Sequence, residues 1–134
     1  MQEVVSLKIS SNLKNIAQIE RLLENWKEEH NISDDKFGNI LLASVEAVTN
    51  AMEHGNLLDE AKTVAIEVCK CESSFQLKVK DQGKGFNPEQ LHDPTLPEFK
   101  ECPDGRGVFL MKQLADELHF HDGGRCVEMK FFLS

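Results

Sequence analysis

No run in the 134 residues approaches the roughly 20 consecutive apolar residues that a membrane-spanning helix needs. The start of the chain, Met1-Gln2-Glu3-Val4, has neither the basic nor the apolar region of a secretory leader. The four cysteines (Cys69, Cys71, Cys102, Cys126) include no CxxC pair and are too sparse for a disulfide scaffold, so they read as reduced thiols. Basic residues are in deficit: 15 Lys+Arg against 23 Asp+Glu leave a net charge of −8, with no basic patch, which argues against a nucleic-acid partner. No GxxxxGK[ST] phosphate loop, internal repeat, low-complexity tract or linker is present. These absences set the expectation of one cytoplasmic domain over residues 1–134, with no membrane partner. Hydrophobic residues at 40% and charged residues at 28% are ordinary globular usage, and the length suffices to bury a core.

Hydrophobic periodicity organises the chain. Val5, Leu7 and Ile9 alternate with polar neighbours, as in a half-buried strand. Ser10-Ser11-Asn12 supplies capping groups, and Ile16, Ile19, Leu23 and Trp26 recur at helical spacing, predicting a helix over 13–29. Ser33 caps a second helix over 34–54, with Asp34 and Asp35 in its first turn and Phe37, Ile40, Leu41, Ser44, Val45 and Val48 as its buried stripe. Gly55 stops it. From Lys62 the period becomes two: Val64, Ile66 and Val68, then Phe75, Leu77 and Val79 across Ser73-Ser74, make an antiparallel hairpin. Residues 82–105 hold all four prolines and several glycines, predicting a long surface loop with a short helical turn near 88–91. Val108, Met111, Leu114 and Ala115 mark a third helix, and Leu118–Phe120 pairs with Val127–Phe131 across Asp122-Gly123-Gly124. The order β-α-α-β-β-α-β-β predicts an α+β fold, a two-layer α/β sandwich with three helices on one face of a mixed, mostly antiparallel sheet.

Three segments carry chemistry. In Glu46-Ala47-Val48-Thr49-Asn50-Ala51-Met52-Glu53-His54-Gly55, the side chains of Glu46, Asn50 and His54 share one helix face at i, i+4 and i+8. A carboxylate and an amide one turn apart suit a base beside an oxygen ligand for Mg²⁺, although a solvated polar face has the same pattern. In Asp81-Gln82-Gly83-Lys84-Gly85-Phe86, a strand-end carboxylate can accept a hydrogen bond from an exocyclic amine, and the glycines let backbone approach a ligand. Gly105-Arg106-Gly107-Val108 precedes a helix whose free N–H groups attract anions. Each of the last two also reads as an ordinary turn or cap.

Taken together and in this order, the segments resemble the N, G1 and G2 boxes of the GHKL ATPase/kinase superfamily, and within it the small bacterial anti-sigma factor/serine-protein kinase group. The resemblance spans nearly the whole chain. It implies the ATP-binding fold of that superfamily, with Glu46 as the base that activates a partner's serine hydroxyl and Asn50 as the ligand of the Mg²⁺ that bridges the ATP phosphates. It also implies Asp81 as the acceptor of the adenine amine, Gly83 and Gly85 bordering the adenine pocket, and Gly105, Arg106 and Gly107 ending the ATP lid near the terminal phosphates. The implied partners are a STAS-type anti-anti-sigma protein and a sigma factor, with exposed Lys14, Glu20 and Arg21 as candidate contacts, and a homodimer formed through the sheet. Relatives often carry a threonine after the final hairpin's glycine, where this chain has Arg125. A nucleotide-gated protein-binding module without kinase activity is the alternative, and a scaffold that binds no nucleotide a third. Two further clusters stand outside these motifs. His119 and His121 with Cys126 across the hairpin form a candidate metal site or plain surface residues, and Cys69 and Cys71 share a strand face as small apolar side chains.

Overall fold

A computed structural model describes residues 3–83 and 103–133, with the backbone alone at Glu3 and over 103–107. The elements are β1 (Glu3–Ser10), α1 (Ile16–His30), α2 (Asp34–Asn50), β2 (Thr63–Cys71), β3 (Ser74–Lys80), α3 (Pro103–Leu114), β4 (Glu117–His121) and β5 (Cys126–Phe132). Their order is the one expected. The five strands form one sheet in the order β1-β2-β3-β5-β4, antiparallel at every pairing, so the mixed sheet is corrected to a wholly antiparallel one.

Period-two alternation divides the sheet into two faces. Val64, Ile66 and Val68, with Phe75, Leu77 and Val79 and with Val127, Met129 and Phe131, are buried and face the helices. Glu67, Lys78 and Glu128 lie on the opposite face, where Lys78 Nζ and Glu128 Oε2 are 3.5 Å apart. Ile19, Leu23 and Trp26 of α1 are buried, and the Trp26 ring meets Phe75 edge-on at a centroid distance of 5.6 Å. This edge-to-face geometry stabilises by about 0.5–1.5 kcal/mol beyond area burial.

The helix starts differ from the expected ones in detail. Residues Leu13–Asn15 form a 3₁₀ turn, in which Asn12 Oδ1 accepts the Lys14 N–H at 3.0 Å, and the α-helix proper begins at Ile16. Ser33 caps α2 by accepting the Lys36 N–H, with Asp34 and Asp35 in the first turn. Ala43 and Ala47 join Ile40, Ser44 and Val48 in the buried stripe of α2, while Phe37 and Leu41 are only partly buried. Small residues let the helix lie close to its neighbours, so the contact face is centred on the alanines and not on the larger side chains flanking them.

Beyond Asn50 the helix widens into one π turn, Ala51–Gly55, closed by the Asn56 N–H donating to Ala51 C=O at 2.8 Å. The third helix starts at Pro103, so Gly105, Arg106 and Gly107 lie inside its first turn and not ahead of it. Proline's fixed φ and missing N–H suit a first helical position, which extends the helix into part of the expected 82–105 loop. The helical turn expected near 88–91 lies outside the described residues. In the final hairpin Asp122, Gly123 and Gly124 all take positive φ (54°, 64° and 89°), the backbone that the Asp-Gly-Gly signal calls for.

Candidate functional site

The end of α2, the end of β3, the inner face of α3 and the β4–β5 hairpin line a cleft with an enclosed volume of about 70 Å³. Asn50, His54 and Gly55 line it from the helix end, Val79 and Asp81 from β3, Val108 and Met111 from α3, and Phe120 and Arg125 from the hairpin. Its walls are largely apolar, with Asn50, His54, Asp81 and Arg125 as polar groups among them.

Of the expected site residues, the fold brings Asn50 and Asp81 to one cleft. Glu46 stands one turn before Asn50 on α2, half-buried and outside the cleft lining. Gly83 borders Asp81. Gly105, Arg106 and Gly107 are placed by their backbone in the first turn of α3, and Gly85 lies outside the described residues.

Asp81 is held closely. Its N–H donates to Arg125 C=O at 2.9 Å, and its Oδ1 accepts the Gly83 N–H at 2.7 Å. Its carboxylate packs against the Cα of Gly55, where an added Cβ would lie 2.4 Å from Asp81 Cγ and Oδ2. The next turn is pinned by Asn56, which is fully buried. Asn56 Oδ1 accepts the Gln82 N–H at 2.7 Å, and its Nδ2 donates to Ser11 Oγ at 2.8 Å and Thr63 C=O at 3.0 Å. Gly55 was legible only as a helix stop. Asn56 carried no signal, because its partners lie 7 to 45 residues away in sequence.

Burial pushes the Asp81 carboxyl above its ordinary range. The Gly83 N–H and the positive charges of Arg125 and Lys62 pull it back, and Asp122 adds a small push upward. A carboxyl raised by burial weighs against folding once ionised. That cost is present above the raised value and vanishes as the pH falls toward the ordinary 3.8. Asp81→Asn is therefore expected to melt higher than the parent at pH 7, with the gap closing as the pH is lowered through Asp81's titration. The oxygen of the substituted amide would still take the Gly83 N–H, which leaves its nitrogen to meet a ligand amine donor to donor. Nucleotide affinity is expected to fall by about tenfold or more. Melting curves across pH, with calorimetry at pH 7, check both; an unchanged affinity would remove Asp81 from base recognition.

The other candidates resolve plainly. Cys69 and Cys71 face the same way with their sulfurs 3.9 Å apart, and no disulfide joins Cys69, Cys71 or Cys126 among the described residues. His119 and His121 stack at 6.5 Å on the outer strand, beside Glu117 and Glu128. Among the described residues no group of three His, Cys, Asp or Glu side chains is arranged to hold a metal ion, which sets aside the His119–His121–Cys126 site. Asn50 offers a single amide oxygen. That suits a magnesium ion that keeps most of its waters and arrives on phosphate oxygens, and not a resident ion caged by protein. Among the described residues no helix is long and apolar enough to cross a membrane.

The sequence profile of histidine kinase-like ATPase domains matches residues 9–131, a span that includes every wall of the cleft. The chain belongs to that family. Among its relatives is an anti-sigma F factor of Clostridium perfringens, 35% identical over 103 residues that cover 72% of each chain. A serine-protein kinase RsbW of Bacillus licheniformis is 27% identical over 142 residues, covering 98% of this chain and 87% of the relative. The fold matches a solved structure of the RsbU and RsbW domains of a Mycobacterium tuberculosis protein, with a TM-score of 0.67 at 16% identity. That match covers 98% of this chain and 32% of the other. Within this family of ATPase domains, the cleft between α2, α3 and the sheet is the candidate nucleotide site.

Proposed function

We propose that the chain is an ATP-dependent serine-protein kinase that phosphorylates a STAS-type anti-anti-sigma protein and sequesters a sigma factor, working in the cytoplasm as one ATP-binding domain and as a homodimer through its sheet. The observation that carries this reading is that Asn50 and Asp81, from a helix end and a strand end, line one cleft. In this reading the base of the nucleotide sits at Asp81 and its phosphates at Asn50. The names of the relatives, anti-sigma F factor and serine-protein kinase, support the biological setting.

In this reading Asp81 Oδ2 accepts a hydrogen bond from the adenine amine, its carboxylate seated against Gly55 where a Cβ would stand. Asn50 offers its side-chain oxygen to the Mg²⁺ that accompanies the phosphates. Gly105, Arg106 and Gly107 lie at the start of α3, whose first backbone N–H groups, that of Gly105 among them, have no partner within the helix and favour negative charge. Glu46 takes the proton of the partner's serine hydroxyl as that oxygen bonds to the γ-phosphorus and the bond to the β-phosphate oxygen breaks, releasing ADP. Such a transfer needs positioning and charge neutralisation more than covalent assistance. Exposed Lys14, Glu20 and Arg21 are the proposed sigma-factor contacts.

The test is incubation with labelled ATP, Mg²⁺ and a STAS-type partner. Label is expected on a partner serine and is expected to disappear when Mg²⁺ is chelated. One observation favours the second reading, a nucleotide-gated binding module without kinase activity: Glu46 lies outside the cleft lining. Mg-dependent nucleotide binding without label on any partner would establish that reading in place of the first.

A further inference from the structure

The geometry points to Arg125 as a specificity-determining residue that donates a hydrogen bond to a ring nitrogen of the purine base whose amine Asp81 accepts. This inference rests on the nucleotide reading of the cleft and adds a second recognition group to it.

Arg125 is the cross-strand neighbour of Asp81. The β3–β5 register ends at Lys80 opposite Cys126, and one step further the Asp81 N–H donates to Arg125 C=O at 2.9 Å. Side chains at directly opposed positions point to the same side of an antiparallel pair. Here that side is the cleft, because Val79 and Val127, two residues further along each strand, face it as well. Asp81 and Arg125 therefore start from neighbouring positions on the cleft side of the sheet, beside Val79 and Val127.

The guanidinium is also held in place. Its Nη1 donates to Gly83 C=O at 3.5 Å and its Nη2 to Asp122 Oδ1 at 3.2 Å, while the side chain keeps 38% of its surface exposed. These contacts use two of the five donors of an arginine. An acceptor next to a donor matches the adenine edge, where an exocyclic amine stands next to an unprotonated ring nitrogen. The charge of Arg125 also counters the effect of burial on Asp81, helping to keep the acceptor ionised.

The experiment is calorimetric titration of the full chain with MgATP and with its 1-deaza and 7-deaza analogues, each of which lacks one ring nitrogen. The parent is expected to bind one analogue about tenfold to a hundredfold more weakly than ATP, the range for a hydrogen bond to a charged group. Arg125→Met is expected to bind ATP and that analogue equally and weakly, and Arg125→Lys to recover part of the difference. A parent that binds ATP and both analogues alike overturns the inference without any variant having to fold. So does an Arg125→Met protein that keeps the parent's discrimination, since Arg125 would then only brace the hairpin. A parent that binds no MgATP at all would instead overturn the nucleotide reading beneath it.

Discussion

Glu46→Gln is expected to slow phosphoryl transfer from MgATP to a partner serine by about 10²–10⁴-fold, the range lost with a general base. Nucleotide affinity should meanwhile stay within about twofold, the pattern of an interaction made only in the transition state. The separation follows from position. Asn50 lines the cleft, whereas Glu46 sits one helical turn earlier and outside it, on the same helix face. In the kinase reading a group placed there acts on a hydroxyl brought by the partner and not on the nucleotide itself. Initial rates of label transfer, measured beside calorimetry on the same preparation, check both halves. An unchanged rate would take Glu46 out of the chemistry. A parallel loss of affinity would make it part of the binding site instead.

The second large effect is steric. Gly83→Ala would put a Cβ 1.9 Å from the carbonyl oxygen of Gly55 and 3.0 Å from Asp81 Oδ1. The nearest atom is backbone, so no side-chain rotation relieves the contact, and the β3 end must separate from the π turn. The variant is expected to lose about 1–3 kcal/mol of stability, as overpacked interiors do. Nucleotide binding should fall by at least about tenfold as the Asp81–Gly55 contact opens. Gly38 is the matched control. It is exposed within α2, and a Cβ there meets nothing within 4 Å. Gly38→Ala should raise stability by about 0.5–1 kcal/mol and leave binding alone. Urea denaturation of the two variants beside the parent decides. A Gly83→Ala protein as stable as the parent would mean that the close approach of residues 55 and 83 is not maintained in solution.

The fold and half of the site were legible for different reasons. Element order followed from local periodicity, because each strand and helix shows its buried face in its own residues: Val64, Ile66 and Val68 in one, Ile19, Leu23 and Trp26 in another. Glu46 and Asn50 could be paired because a helix fixes what stands one turn apart. The antiparallel sense of the β1–β2 and β3–β5 pairings, the contact of Asp81 with Gly55, the anchoring of Gln82 by Asn56 and the place of Arg125 beside Asp81 were not legible. Each depends on which distant segments the sheet sets next to each other. The alanines at the centre of the α2 face were missed for a related reason: a small residue marks close approach only once the approaching partner is known. The start of α3 at Pro103 could have been read from the proline itself, since it favours a helix's first position as readily as a loop.

The π turn at Ala51–Gly55 has a consequence for how this helix tolerates change in length. A π turn spends one more residue than an α turn over the same rise, which is how a single inserted residue is accommodated without breaking a helix. Deleting one residue from this stretch would restore a regular spiral and, because the wide turn absorbs the extra residue, leave the chain before and after it in register. The stretch is thus a place where the chain can lose one residue between Asn50 and Asn56 while both sides of the cleft wall keep their positions.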